Sequence, residues 1–303
     1  MARPKREITI ATIKYYFLLC FLFVTARLPL RLLHGLAAVW GTLLFHVPNR
    51  ARDTTLANLK ACFPQLSTDE ISRLAKESLI STACTAMEMG KSWMLPLDRT
   101  LSLVTETVGV EEFKRAAGQN DGIILLAPHL SNWEIFGLYA CQNLSSTFMY
   151  QPPKFEPLDA LLQRTRSRGG INLAPTDRKG VSLVLKALQK GELVGVLPDQ
   201  VPNDEGGEFA EFFGEPALTM TLVSKLIARS KAKVYCGFTE RLPKGKGFKL
   251  VIHEADQEIY DEDLAKSVGG LNKTVESCVR MTVAQYQWEY KRFRRRPDGE
   301  KFY

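Results

Sequence analysis

The sequence predicts an α/β fold, a largely parallel sheet flanked by helices, preceded by an N-terminal membrane-associating helical segment. Three observations predict it. From about residue 105 onward, short apolar runs rich in β-formers alternate with helical stretches. Four of five such runs end alike, in proline beside polar residues. Ahead of that core lies a long apolar stretch between Tyr15 and Val47, behind a basic start of Arg3, Lys5 and Arg6.

The N-terminal stretch opens with "YYFLLCFLFVTA", an uninterrupted apolar run shorter than the roughly 20 residues of a clean span. No small-residue cleavage site follows it, so it does not read as a signal peptide. Arg27, Arg31 and His34 fall at i, i+4 and i+7, one polar stripe on an otherwise apolar helix. That stripe predicts a helix lying in the membrane interface or a shallow hairpin, with Lys14 and Arg27 snorkelling. A buried two-helix element of a soluble protein is the alternative. Residues 1–48 are therefore expected to form a basic and hydrophobic anchoring segment. Residues 49–104 are expected to form a helical layer, with a cap at Ser67 or Thr68 and acids in the first turn of "FPQLSTDEISRLAKESL".

Residues 105–303 are expected to form the α/β core with a basic tail. The predicted strands are 122–129, 146–153, 171–176, 193–200 and 232–238, with "LTMTLVSKLIARS" among the helical stretches between them. Pro243, Gly245 and Gly247 mark a turn, so "YCGFTERLPKGKGFKLVIHEA" reads as a hairpin near the sheet edge. In open α/β sheets ligands bind beyond the carboxyl ends of the strands. His129, Gln151, Thr176, Asp199 and Gln200, each next to a strand-ending proline or one residue beyond, therefore become candidates for one site.

Composition narrows the chemistry. The chain has 303 residues, a net charge of +7, six cysteines and four histidines. No C-x-x-C occurs, so neither a zinc site nor a disulfide framework is expected, and the cysteines read as reduced, packed residues of a protein facing the cytoplasm. There is no G-x-S-x-G elbow, no H-E-x-x-H helix and no G-x-x-x-x-G-K-[ST] phosphate loop. No metal and no cofactor is expected. Lys291, Arg292, Arg294, Arg295 and Arg296 crowd the C-terminal end and suit an anionic partner: nucleic acid, a membrane surface or a phosphorylated lipid.

The stretch "LLAPHLSNWEIFG" holds the central ambiguity. In one reading Ser131 is an N-cap and Glu134 its N3 partner, the capping box S-x-x-E. In the other, Glu134 accepts from one imidazole nitrogen of His129 and leaves the second free to take a proton from a substrate hydroxyl. A helix N-terminus beside His129 would keep the ring neutral and able to act as a base. The two readings overlap, because a carboxylate has two oxygens.

His129-Leu-Ser-Asn-Trp-Glu134 matches the H-x4-[DE] motif of glycerolipid-type acyltransferases, weak by itself. Together with "YQPPKFEPLDALLQRTRSRGG", "LKALQKGELVGVLPDQ", "FFGEPALTMT" and "AQYQWEYKRFRRRPDGEKFY", the chain resembles the late acyltransferases of lipid A biosynthesis over nearly its whole length. Those enzymes place lauroyl or myristoyl chains on a Kdo-bearing lipid A precursor.

The resemblance implies transfer of a C12–C14 acyl chain from acyl-carrier protein to a hydroxyl of an anionic glycolipid, at the cytoplasmic face of a bacterial inner membrane. His129 would be the base and Glu134 would fix its ring. A developing oxyanion and the acceptor's phosphates call for fixed positive donors, which "QRTRSRG" supplies as Arg164, Arg166 and Arg168. Residues two apart on a helix do not share a face, so one or two of these would reach the site, with the family pattern favouring Arg166 or Arg168. Asp199 and Gln200 would bind the acceptor or position the arginine. Tyr150 is a further candidate, with packing as its alternative role. The basic C-terminal block would hold membrane headgroups or steer the acidic carrier protein. No nucleic-acid module surrounds it, so no nucleic acid is expected. Two alternatives stand beside this reading: the same chemistry on another glycolipid or a phospholipid, with acyl-CoA as a possible donor, and a basic membrane- or nucleic-acid-binding protein without catalysis.

Overall fold

A computed structural model describes residues 4–303, apart from the side chains of residues 4–9 and of Asp204. In chain order the elements are α1 (Pro4–Arg27), α2 (Leu30–His46), α3 (Arg50–Cys62), α4 (Thr68–Met94), α5 (Leu97–Leu101), β1 (Val104–Val108), α6 (Val110–Ala117), β2 (Ile123–Leu126), α7 (Trp133–Ala140), β3 (Ser146–Tyr150), α8 (Glu156–Ser167) and β4 (Ile171–Pro175). They continue with α9 (Arg178–Gln189), β5 (Leu193–Val196), β6 (Gly207–Phe212), β7 (Glu215–Met220), α10 (Leu222–Ser230), β8 (Lys233–Arg241), β9 (Phe248–Glu254) and α11 (Leu264–Met281).

The main sheet has the order β1-β9-β8-β2-β5-β3-β4. Strands β8, β2, β5, β3 and β4 run parallel, while β9 pairs antiparallel with β8 and carries β1 alongside it. The five predicted strands are all present, and the Pro243–Gly247 turn joins β8 and β9 as a hairpin near one edge. Strands β2 and β5, "IILL" and "LVGV", are buried at every position, as expected of central parallel strands covered on both faces. Alternation still sorts their side chains: Ile124 and Leu126 pack with α9, α10 and α11, whereas Ile123 and Leu125 pack with Phe113 of α6 and Phe136 of α7.

One expected helical stretch starts late. Leu218–Met220 belongs to β7, which pairs with β6 in a separate two-stranded ribbon, and α10 begins at Leu222. The β-branched and aromatic content of "EFAEFFGEPALT" favours that ribbon, with Gly214 at φ +82° turning the chain.

The N-terminal helices pack on α4. Each crosses it at a glycine: a Cβ on Gly90 would lie 2.5 Å from the Leu22 carbonyl oxygen, and one on Gly41 would lie 2.4 Å from the Ile80 Cα. Lys91 donates to the Ala26 carbonyl at 2.6 Å and ties down the end of α1. The single polar stripe expected at Arg27, Arg31 and His34 does not form. The helix breaks at Leu28–Pro29, so Arg27 ends α1, and His34 of α2 turns inward to Glu88 of α4, 2.7 Å away. The outer faces remain apolar and open, with Phe17 73% and Val39 72% exposed. Ile10–Arg27 is long and apolar enough to cross a membrane.

The cap choice at α4 resolves to Ser67, whose side chain accepts from the Glu70 amide while Glu70 reaches back to Ser67. Five of the six cysteines are buried and none forms a disulfide. The basic C-terminal block is not a free charge cluster. Arg292 is buried and donates to the Leu218 carbonyl and to Thr219, both at 2.6 Å, and Arg296 pairs with Glu215 at 2.8 Å. These two arginines lock the tail onto the β6–β7 ribbon.

Candidate active site

The site forms where β2 and β5, neighbours in the sheet, both stop at proline. Their outgoing connections leave in opposite directions, β2 towards β3 and β5 towards β8, and such a point opens a crevice at the carboxyl ends. His129 follows β2, and Asp199 and Gln200 follow β5. The Asp199 carboxylate takes both halves of His129: Oδ1 lies 2.8 Å from the imidazole Nδ1 and Oδ2 accepts the main-chain N–H at 2.8 Å. Asp199 is 4% exposed, so burial pushes its carboxyl up, yet the facing imidazole and these hydrogen bonds outweigh burial and hold it below its ordinary range. Such a carboxylate fixes the tautomer with the proton on Nδ1 and leaves Nε2 as the basic nitrogen. Nε2 faces the Gln200 amide nitrogen at 3.2 Å, which donates to it.

This arrangement corrects the expected partner of His129. Glu134 does not touch the imidazole. Its carboxylate forks onto Arg166, with Oε1 2.5 Å from Nη2 and Oε2 3.2 Å from Nε. The expected capping box fails as well. Asn132 is the N-cap of α7 and accepts the Ile135 amide at 3.1 Å, which leaves Glu134 in the second helical position rather than the third. Ser131 instead adopts φ +52°, a left-handed conformation that turns its hydroxyl away from the helix end.

Strain at Ser131 persists because its neighbours over-determine the loop. The Ser131 amide donates to the Gln285 carbonyl at 2.8 Å, and the Gln287 amide donates to the His129 carbonyl at 3.1 Å. Thr85 donates to the Ser131 carbonyl at 3.2 Å and Thr239 to the Asn132 carbonyl at 2.9 Å. Behind them lies a charged network invisible to motif reading. Glu88, fully buried, receives Arg241 at 2.5 and 2.9 Å, His34 at 2.7 Å and the Asn132 amide at 3.2 Å. Burial opposes its charge, but Arg241 and His34 hold the Glu88 carboxyl below its ordinary range. Arg241 also reaches Ser81 and Thr85, both at 2.8 Å. The signal was present in the sequence: Ser81, Thr85, Glu88 and Ser92 recur at i, i+4, i+7 and i+11, a polar stripe along α4.

The three arginines at the end of α8, two in its last turn and Arg168 at its C-cap, part company. Arg166 points to the site, and Glu134 outweighs the burial penalty to raise its guanidinium further. Arg168 turns back to the carbonyls of Ser92 and Leu95 at the end of α4, and burial lowers it. Arg164 is exposed and lines a cleft beside Trp93 and Leu97, away from His129. Tyr150 is half-buried, bonded to Gln163 at 3.2 Å and close enough to Arg166 to act on its charge. Gln151 and Thr176 bond to each other at the ends of β3 and β4, outside the His129 cluster. Among the described residues no group of histidine, cysteine and acidic side chains could hold a metal ion.

Two recesses flank Trp133, whose ring stands 4.9 Å from that of His129. One is apolar, lined by Leu138, Phe148, Met149, Ile171 and Leu197, with Glu134 and Arg166 at its mouth. The other, about 180 Å³, lies between α4 and the C-terminal segment and includes Ser131, Gln287 and Glu289.

A histidine backed by a buried carboxylate, with an apolar slot nearby, suits transfer of an acyl group to a hydroxyl. Comparison with known proteins decides the family. The family model described as bacterial lipid A biosynthesis acyltransferase matches residues 3–295. The chain belongs to that family. Relatives of this lipid A acyltransferase include the lipid A biosynthesis lauroyltransferase of Escherichia coli K12, 28% identical over 92% of this chain and 90% of the relative. The palmitoleoyltransferase of the same organism is 28% identical over 94% and 92%. Its myristoyltransferase is 25% identical over 82% and 77%. This lipid A acyltransferase is thus an O-acyltransferase, with His129, Asp199, Arg166 and Glu134 gathered at the carboxyl ends of its central strands.

Proposed function

We propose that this acyltransferase moves a C12–C14 fatty acyl chain from acyl-carrier protein to a hydroxyl of a Kdo-bearing lipid A precursor. The observation that carries the reading is the placement of His129, backed through Nδ1 by Asp199, in one recess and beside Trp133, which also lines the apolar one.

The chemistry follows from that placement. The acceptor hydroxyl displaces the Gln200 amide and gives its proton to His129 Nε2 as its oxygen attacks the thioester carbonyl. Asp199 stabilises the imidazolium that forms. Collapse of the tetrahedral intermediate breaks the C–S bond, and the imidazolium proton passes to the departing thiolate, so no cysteine or serine nucleophile is needed. The apolar recess takes the first carbons of the acyl chain. Arg166, oriented by Glu134, supplies fixed positive charge near the reacting carbonyl or an acceptor phosphate. The exposed apolar faces of α1 and α2 support seating in the bacterial inner membrane, with the catalytic core on the cytoplasmic side where acyl-carrier protein is found. Exposed Arg294 and Arg295 support steering of the acidic carrier.

The test is direct. Purified enzyme with lauroyl-acyl-carrier protein and Kdo-bearing lipid IVA should yield a product heavier by one acyl chain, and His129→Ala should abolish it while leaving the fold intact. Mass spectrometry of lipid A from cells with and without the gene should show loss of one chain. An unchanged lipid A, or transfer only from acyl-CoA to a phospholipid, would overturn the reading.

A further inference from the structure

The recess beside His129 is bordered by unmet hydrogen-bonding groups. Ser131 is 1% exposed, and its hydroxyl has no hydrogen-bond partner. The Gln287 side-chain oxygen is also buried without a partner. Buried polar atoms are nearly always paired in folded proteins, so hydrogen-bonding capacity is left over at two places beside this cavity. Glu289 enters the same cavity from the C-terminal segment, and Thr82 of α4 donates to its carboxyl at 3.0 Å.

The chemistry of the lining selects the ligand. Among the described residues no lysine or arginine lines this cavity, so it offers no fixed positive charge to an anion. Burial pushes the Glu289 carboxyl above its ordinary range, towards the neutral form that donates as well as accepts. Hydroxyl, amide and carboxyl groups stand here among Ala86, Met89, Trp133 and Tyr286, a mixed lining that suits an uncharged sugar, with its hydroxyls and apolar ring face, better than phosphate.

We propose that this cavity is the acceptor subsite, in which Glu289, Ser131 and Gln287 hydrogen-bond neutral sugar hydroxyls beside the one that reacts, while the acceptor's phosphates lie outside it. The assignment rests on the acyl-transfer reading and adds to it the side of Trp133 from which the acceptor arrives. Glu289 is a specificity residue and leaves the proton transfer to His129.

Full-length enzyme in detergent micelles tests it, with lauroyl-acyl-carrier protein as donor and Kdo-bearing lipid IVA as acceptor. Glu289→Ala should raise the acceptor KM about tenfold, equivalent to about 1.4 kcal/mol of binding, with the donor KM within about twofold of wild type. The same factor should appear with a dephosphorylated acceptor. Glu289→Gln, which keeps hydrogen-bonding atoms in place, should recover most of the loss. A rise in the donor KM instead would overturn the assignment and give the cavity to the donor's thioester arm. A fall in kcat with both KM values unchanged would overturn it too. Equilibrium binding of the acceptor without donor separates the two readings. Binding weakened about tenfold by Glu289→Ala, in an enzyme that transfers nothing, would sink the acyl-transfer reading and leave the subsite standing; unaltered binding would sink the subsite.

Discussion

Asp199 grips His129 at two points, the imidazole Nδ1 and the main-chain N–H, each at 2.8 Å, and so fixes both the ring and the strand end that carries it. Asp199→Asn keeps the size but can present an N–H to the ring and favour the wrong tautomer. We expect kcat to fall by about 10²–10⁴-fold with little change in either KM, the range for loss of general base catalysis. Glu134→Gln, which touches Arg166 and not the ring, should raise KM more than it lowers kcat. Steady-state kinetics on the two variants decides, and a wild-type kcat in Asp199→Asn would remove Asp199 from the mechanism.

Arg166 and Arg168 should separate cleanly. Arg166→Lys loses the fork onto Glu134, which an ammonium cannot reproduce, and should cost activity without lowering the melting temperature much. Arg168→Ala removes the latch from α8 to the carbonyls of Ser92 and Leu95. It should cost about 1–3 kcal/mol of stability, as for other hydrogen bonds made by charged groups, and retain turnover. Thermal melts beside initial rates test the pair; the reverse pattern would exchange their roles.

Glu88 is predicted by its surroundings to be structural and unforgiving. Glu88→Ala strands Arg241 in the interior, and breaking a buried pair in this way costs about 3–5 kcal/mol. Replacing both, as Glu88→Leu with Arg241→Met, should recover much of that loss. Denaturant unfolding checks it, and additive losses in the double variant would contradict the account.

The same groups set a response to acid. Asp199 and Glu88 are held below their ordinary range, so the stability they contribute is fully present above the unfolded carboxyl values and is lost as pH falls through the depressed folded values. Glu289 has the opposite sign: its contribution is present at low pH and is lost as pH rises through its raised value. The unfolding midpoint should therefore gain slightly from Glu289 as pH falls towards about 4, near the unfolded carboxyl values, and drop below that as Asp199 and Glu88 take up protons. Glu88→Gln should flatten that fall; an unchanged acid limb would show that other groups govern it.

Phe148 is expected to shape how the apolar recess accepts the first carbons of the chain. Its ring lies over Gly195, where an added Cβ would approach ring atoms to 2.2–2.3 Å. Gly195→Ala should displace the ring, raise the donor KM for chains of every length and cost about 1–3 kcal/mol by overpacking. Phe148→Ala should shift the donor KM alike for every length. Steady-state kinetics with acyl-carrier proteins bearing C10 to C16 chains reads the effect, and an unmoved donor KM in both variants would place the chain elsewhere.

Much of this is legible in the sequence alone. The apolar runs at 122–129 and 193–200, their prolines and the polar residues beyond them placed His129, Asp199 and Gln200 at strand ends of one sheet, because a parallel sheet aligns its carboxyl ends. What was not legible was which side chains meet there. Glu134 lies five residues from His129 and looked like its partner, whereas Asp199 lies 70 residues away and is its partner. The strand order that sets β5 beside β2 is a tertiary fact, and a one-residue shift of the cap to Asn132 is enough to send Glu134 to Arg166. Glu88 was missed because a buried acid on a helix is indistinguishable from a solvated one until Arg241 and His34, 153 and 54 residues away, are seen around it.

The sequence by itself determined the α/β class, the strand ends that carry the site, the apolar N-terminal segment and the family. Local periodicity and turn chemistry encode the first three directly, and the family rests on the resemblance of its motif blocks. Only the tertiary structure decided the partner of His129, the divergent roles of Arg164, Arg166 and Arg168, the inward turn of His34 and the polar cavity at Glu289. Each of those depends on distant segments meeting at hydrogen-bonding distance, and spacing along the chain carries no record of that.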